Sequence, residues 1–94
     1  MPRDDTNADG APDDSTLALR ALVWTLAEPQ RAMRLLDTTG LAPADLRSSA
    51  SAPATLVALL TFLEAHEPDL IACAEGIGTT PAALVATRER LEAA

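Results

Sequence analysis

Apolar residues recur along this chain at the spacing of one face of an α-helix. The i, i+3, i+4, i+7 pattern is clearest in two segments, which carry Leu19, Leu22, Val23 and Leu26 and then Leu56, Leu59, Leu60 and Leu63. Such a pattern is typical of a helix that buries one side in a core and leaves the other in water. Both segments are therefore predicted to be helices, with these side chains in the core.

The prolines indicate where the helices begin. Of the seven prolines, five stand just ahead of segments with helical spacing: Pro29, Pro43, Pro53, Pro68 and Pro81. Proline is favoured at the first helical position, because its missing N–H would have no partner there. The first helix has no such proline, and Asp14 or Ser15 is the expected capping residue. The sequence thus predicts an all-α fold, a compact bundle of about six short helices.

Glycines and prolines recur at matching places in the two halves of the chain. Residues 28–46 and 67–84 share a Glu-Pro pair at the start and a Gly-x-x-Pro-Ala-x-Leu motif at the end. This match predicts two copies of a three-helix unit, although a chain so rich in Ala, Leu and Pro also produces partial matches by chance. Gly40 and Gly78 are expected to end their helices at positive φ, with Gly76 as the competing candidate for the second cap.

Charge divides the chain into an acidic tail and a folded domain. Residues 1–14 contain five aspartates against one arginine and no large apolar residue after Met1. They are predicted to be a disordered tail, and residues 15–94 a single helical domain. The formal net charge of −7 at pH 7 repels nucleic acid and anionic membranes at long range. Residues 15–53 are the only part of the molecule that is not acidic.

The sequence favours a cytoplasmic location and predicts no membrane-spanning segment. No apolar run approaches the ~18 to 20 residues of a membrane span, and the N-terminus lacks the basic and apolar regions of a secretory signal. The single cysteine, Cys73, cannot form an internal disulfide, which agrees with a reducing compartment.

One turn motif carries a resemblance to a known family. The run from Thr39 to Arg47, TGLAPADLR, is followed by a proline-led apolar helix with Phe62 and Leu63 and by a closing Gly-x-x-Pro helix. From about Thr16 to its end, the chain resembles a family of small helical alphaproteobacterial proteins catalogued as a domain of unknown function. The resemblance implies an all-helical fold and brings no assigned activity.

Residues suited to catalysis or metal binding are few. His66 is the only histidine and Cys73 the only cysteine. The carboxylates of Glu64, Glu67 and Asp69 cluster near the predicted junction of the fourth and fifth helices. A Cys–His nucleophile needs contact between the thiol and the imidazole, and a third group that orients the imidazole. Cys73 instead lies on a predicted core stripe. His66 is predicted in the last turn of the fourth helix, where a cation is favoured by the helix dipole. We expect no enzyme activity, no cofactor and no metal site.

Residues 69–91 suggest a second class of function, which is DNA binding. They are predicted to form a helix, a glycine turn and a second helix, in the order of a helix-turn-helix DNA-binding motif. The second helix begins with small apolar side chains that cannot read bases, and its Arg88 and Arg90 are offset by Glu89 and Glu92. The competing interpretation is two helices of a bundle.

Three residues are candidates for binding a protein partner. Arg31 and Arg34 lie three residues apart on the second helix, where an acidic partner could dock. The competing interpretation is that they are solvated or pair with Asp37 and the acidic tail. Trp24 belongs either to a core pair with Phe62, which would join the two halves, or to an exposed partner-binding surface.

The sequence therefore favours a non-enzymatic protein–protein interaction module. The expected partner is an unidentified protein, and a second copy of the same chain, forming a homodimer, is one of the alternatives. A helix-turn-helix-type nucleic-acid-binding protein is the alternative.

Overall fold

The computed structural model describes residues 13–93, which form six α-helices joined by short turns. In chain order they are α1 (Asp14–Leu26), α2 (Pro29–Thr39), α3 (Pro43–Ser49), α4 (Pro53–Glu64), α5 (Glu67–Ile77) and α6 (Pro81–Ala93). The predicted all-α bundle is confirmed, and this part of the chain contains no strand. Four of the five helix-marking prolines open their helix, and Pro68 is the second residue of α5.

The first helix begins slightly earlier than the sequence predicted. Its cap is Asp13 rather than Asp14 or Ser15: the Asp13 carboxylate accepts a hydrogen bond from the backbone N–H of Thr16 at 2.7 Å. This hydrogen bond lowers the pKa of Asp13. Asp14 is already helical and pairs with Arg90 of α6 at 2.9 Å. Both aspartates thus belong to the start of the bundle, and the rest of the predicted tail, residues 1–12, lies outside the described residues.

The core is built around α4. Its predicted stripe is confirmed, since four leucines are each no more than 1% exposed: Leu56, Leu59, Leu60 and Leu63. α1 lies beside α4, α6 packs against both, and α2 and α5 cover the remaining sides. Leu35 of α2 and Leu84 of α6 are fully buried against this centre. The apolar spacing of α4 therefore describes its packing correctly.

Two glycines end helices in the left-handed conformation, as predicted. Gly40 follows α2 with φ of 76°, and Gly78 follows α5 with φ of 79°. Gly76, the competing candidate for the second cap, lies inside α5 instead. The helix end at Gly78 is completed by a hydrogen bond from the N–H of Thr79 to the carbonyl of Ala74 at 2.8 Å.

Gly78→Ala is expected to lower the free energy of unfolding by about 1 kcal/mol, because alanine resists the left-handed conformation. A Cβ at this position meets nothing within 4 Å, so no steric clash contributes to the change. The lost stability therefore reports only the cost of the left-handed backbone conformation. Gly78→Asn is the control and should lose less, since asparagine tolerates this conformation. Urea titration measures both, and an alanine variant as stable as the wild type would contradict the assignment of the cap.

The duplication stays a prediction. The matching turns have matching roles, because Pro29 and Pro68 lie in the first turns of α2 and α5, and Gly40 and Gly78 end these helices. The third helices of the two proposed units differ, however, with 7 residues in α3 and 13 in α6.

Within residues 13–93, no single helix is long and apolar enough to cross a bilayer. α5 and α6 pass that test only as a pair, and they are bent by 98° at their junction.

Candidate functional site

α1 buries a different face from the one that its leucine spacing predicted. Its buried residues are mostly small: Leu17, Ala18, Ala21, Leu22 and Thr25. Ala18 and Ala21 have no exposed surface, and such small side chains let neighbouring helices come close to α1. Of the predicted stripe, Leu22 is buried and Leu19 is half-buried against the core, whereas Val23 is 67% and Leu26 37% exposed. The prediction is therefore wrong for Val23 and Leu26, and an apolar surface of α1 is left outside the core.

Part of that surface forms one wall of a groove, and the C-terminal end of α5 forms the other. The groove has a volume of about 630 Å³ and is lined by Thr16, Leu19, Arg20, Val23, Trp24, Gly76 and Ile77. We refer to it as the α1/α5 groove. Its lining is mostly apolar, and Arg20 is the single charged residue in that lining. Concave and mostly apolar surfaces with few polar groups are the usual form of ligand-binding pockets.

The two walls meet where Trp24 lies against Gly76. A Cβ added at Gly76 would come within 2.7 Å of Nε1 and 2.9 Å of Cδ1 of the indole. These distances are shorter than any ordinary contact, so the indole keeps its place only because Gly76 has no side chain. The glycine inside α5 thus has a packing role distinct from the capping role of Gly78.

Arg31 of α2 stacks on the indole of Trp24. Its guanidinium carbon lies 3.7 Å from the ring centroid, and its Nη2 donates a hydrogen bond to the Trp24 carbonyl at 2.6 Å. A cation stacked on a tryptophan contributes about 0.5–2 kcal/mol. The Nε of Arg31 is buried and has no acceptor among residues 13–93. The structure brings together two of the predicted partner-binding residues, and it uses Arg31 to hold Trp24 in place.

Arg34, the third predicted partner-binding residue, lies elsewhere. Its Nη2 pairs with Oδ2 of Asp69 on α5 at 2.7 Å, and Asp37, the partner suggested by the sequence, is not the one it uses. Arg34 lines a second concavity of about 260 Å³ together with Phe62, which we name the Phe62 groove. Phe62 itself is 7% exposed. The two aromatic residues of the chain therefore line different grooves.

His66 and its neighbours do not form a reactive cluster. α4 ends at Glu64, so the prediction that His66 lies in its last turn is wrong. His66 precedes α5 and makes no capping hydrogen bond with its side chain. Its Nε2 lies 4.0 Å from Oδ2 of Asp69, and the side chain is 58% exposed. In the part of the chain that the structure describes, no three His, Cys, Asp or Glu side chains converge so that they could hold a metal ion.

Cys73 is fully buried, as predicted, with no exposed surface. Burial raises the pKa of its thiol to about 11, despite the opposing effect of the nearby Arg31 charge. Because the thiolate is the reactive form, a buried thiol that keeps its proton is a poor nucleophile. Cys73 is therefore a packing residue.

The buried thiol is expected to make stability depend on alkaline pH. The unfolded chain ionises Cys73 near pH 9 and the folded chain near pH 11, so the free energy of unfolding should fall as pH rises through this window. The slope reaches at most about 1.4 kcal/mol per pH unit. The chain has no lysine or tyrosine to obscure the effect. Urea titrations of wild type and Cys73→Ala would measure it, and equal slopes would contradict the assignment.

The arginines that a helix-turn-helix interpretation needs are paired with carboxylates. Arg88 of α6 bonds to Glu64 of α4 at 2.6 Å and also to Glu92. Arg90 pairs with Asp14. These hydrogen bonds raise the pKa of both guanidinium groups. Binding of nucleic-acid phosphates by these arginines would compete with ion pairs that join α6 to the rest of the bundle.

Comparison with known proteins identifies a family without an assigned activity. No curated protein and no solved structure matches the chain. A family described as a protein of unknown function (DUF3572) matches residues 12–94, which include all six helices and both grooves. The resemblance to a domain of unknown function is thus confirmed. The chain belongs to the DUF3572 family.

Proposed function

We propose that this protein is a non-enzymatic interaction module that binds another protein in the α1/α5 groove. The observation that carries the proposal is the apolar surface around Trp24. Among residues 13–93, the exposed large apolar side chains are Val23, Leu26, Met33 and Ile71. Val23 lines the groove beside Leu19, Trp24 and Ile77, and Leu26 follows Val23 by one helical turn on α1. An exposed apolar lining of this kind favours association, because a partner would remove it from water.

The arrangement of Trp24 supports the proposal further. Tryptophan is the residue type most enriched among those that dominate binding energy at protein interfaces. Here the indole is held by Gly76 on one wall and by Arg31 from α2 before any partner arrives. A side chain that is already ordered loses less conformational entropy on binding, and this favours affinity. The groove therefore combines an apolar surface with a fixed aromatic anchor.

The alternative functions have less support in the same contacts. A nucleic-acid-binding role would need Arg88 and Arg90, and both are engaged with carboxylates. An enzymatic role would need an accessible nucleophile or base in contact with an orienting group, whereas Cys73 is buried and His66 lies in the turn before α5. An interaction module requires neither.

Val23→Glu is expected to abolish binding of the natural partner without unfolding the protein. Val23 lines the groove and is 67% exposed, so the fold tolerates a carboxylate there while the apolar interface does not. Met33→Glu is the matched control, because Met33 is 63% exposed and lies on α2 outside the groove lining. The two variants carry the same added charge.

The measurement is affinity capture from the native cell with mass spectrometry, using wild type and both variants at equal melting temperature. We expect a partner that the wild type and Met33→Glu retain and Val23→Glu loses. A partner retained by all three proteins would show that binding uses another surface.

Sedimentation velocity of the three proteins tests whether the partner is a second copy of the chain. If a homodimer forms through the α1/α5 groove, Val23→Glu should be monomeric while the wild type and Met33→Glu stay dimeric.

A further inference from the structure

We infer that the α1/α5 groove accepts an amphipathic helix that carries acidic residues beside its apolar face, and that Arg20 recognises this charge. The inference rests on the proposed function and adds the chemistry of the partner.

The shape of the groove favours a helix over an extended peptide. On α1 the lining extends from Thr16 to Trp24, about 12 Å at roughly 1.5 Å per residue, and α5 contributes its last two residues, Gly76 and Ile77. About two turns of a third helix fit along this length of α1 and place apolar side chains at i, i+3, i+4 and i+7. An extended peptide cannot bind by adding a strand to a sheet, because residues 13–93 contain no strand. A polyproline segment would need several aromatic side chains, and Trp24 is the single aromatic residue in the lining.

The charge at the rim favours acidic residues on that helix. Arg20 is exposed, lines the groove and lies one helical turn before Val23 and Trp24, so the three share one side of α1. Four other arginines have partners within the bundle: Arg31 with Trp24, Arg34 with Asp69, Arg88 with Glu64 and Arg90 with Asp14. Among residues 13–93, no carboxylate pairs with Arg20. Apolar contacts would supply the affinity, and Arg20 would supply the preference for a negative partner.

Arg47 provides a matched control for Arg20. It is also exposed, and it also has no carboxylate partner among the described residues. It lies on α3, which does not contribute to the groove lining. Arg20→Glu and Arg47→Glu change the net charge of the protein equally, so any difference between them reports position and not overall charge.

The test uses two designed peptides of about 15 residues, stapled to keep them helical, since unassisted helices of this length are marginal in water. Both carry leucines at i, i+3, i+4 and i+7, with glutamates beside the leucine stripe in one peptide and lysines in the other. Binding is followed by the emission of Trp24, the single tryptophan of the chain. We expect the wild type and Arg47→Glu to bind the glutamate peptide about threefold to tenfold more tightly than the lysine peptide. Arg20→Glu should reverse this order.

Other outcomes would overturn the inference in distinguishable ways. If Arg20→Glu leaves the ratio of the two affinities unchanged, Arg20 does not recognise charge. If neither peptide changes Trp24 emission while Val23→Glu still loses the captured partner, the helical ligand is wrong and the proposed function stands. If the wild type self-associates, Val23→Glu does not, and the peptides fail to displace the second copy, the occupant of the groove is another copy of the chain.

Discussion

Replacing Leu63 with alanine is expected to lower the free energy of unfolding by about 3 kcal/mol, within the ~2–5 kcal/mol range for leucine-to-alanine changes in cores. Leu63 has no exposed surface and lies on α4, around which the core is built. Its loss would leave a cavity that the surrounding helices cannot fully close. Because domains of this size are stable by only about 5–15 kcal/mol, the variant would lose a large part of the total.

Urea unfolding followed by circular dichroism measures this loss. Val23→Ala is the control, since Val23 is 67% exposed and its truncation should change stability by no more than about 0.5 kcal/mol. A loss below about 1 kcal/mol for Leu63→Ala would mean that α4 is not the centre of a well-packed core.

Gly76→Ala is expected to displace the indole of Trp24 and to weaken partner binding about tenfold or more. The new Cβ would lie 2.7 Å from Nε1, so the ring must move away from the wall of α5. The protein itself should stay folded, because alanine is favoured over glycine by about 1 kcal/mol inside a helix. Displacement should also disturb the stacking of Arg31 on the ring.

Gly78→Ala is the control that separates a change in stability from a displacement of the Trp24 indole. A Cβ at Gly78 meets nothing within 4 Å, so this variant should lose stability and keep the Trp24 emission of the wild type. Gly76→Ala should do the opposite, with nearly unchanged stability and greater quenching of Trp24 by acrylamide. If Gly76→Ala keeps the wild-type emission and quenching, the contact between Trp24 and α5 is absent in solution.

The two central helices show when apolar spacing is sufficient to predict packing. In α4 the four leucines share one face, and that face is the core. α1 has large apolar residues on more than one side, so spacing alone cannot choose between them. The side of α1 that carries Ala18 and Ala21 is buried, because small residues allow close approach of the helices around α1. The leucine stripe, which looked like the stronger signal, was left partly on the surface.

The candidate site depends on contacts between helices that are distant in sequence. Trp24 and Arg31 were both identified as partner-binding candidates from sequence, but their stacking depends on how α1 and α2 cross. The pairing of Arg34 with Asp69 likewise depends on where α5 lies. One signal was available for the groove: Gly78 accounts for the helix end, so Gly76 inside α5 required a separate reason, and close approach of another residue is the usual one.

Helix boundaries were predicted closely where proline marks them and less well elsewhere. Pro29, Pro43, Pro53 and Pro81 each open a helix. At the start of α1 three polar residues compete for the cap, and Asp13 takes it because its carboxylate reaches the N–H of Thr16. Competing caps differ by little in free energy, which is why sequence alone placed this start one or two residues late.

The most direct test of the α1/α5 groove as the binding surface is a two-dimensional ¹H–¹⁵N NMR titration of the full chain with the glutamate-flanked leucine peptide. Binding in the groove predicts the largest shifts at the amides of Val23, Gly76 and Ile77 and at the indole N–H of Trp24, all of which line it. Shifts concentrated instead at Phe62 and His66, which line the second groove, would contradict the account.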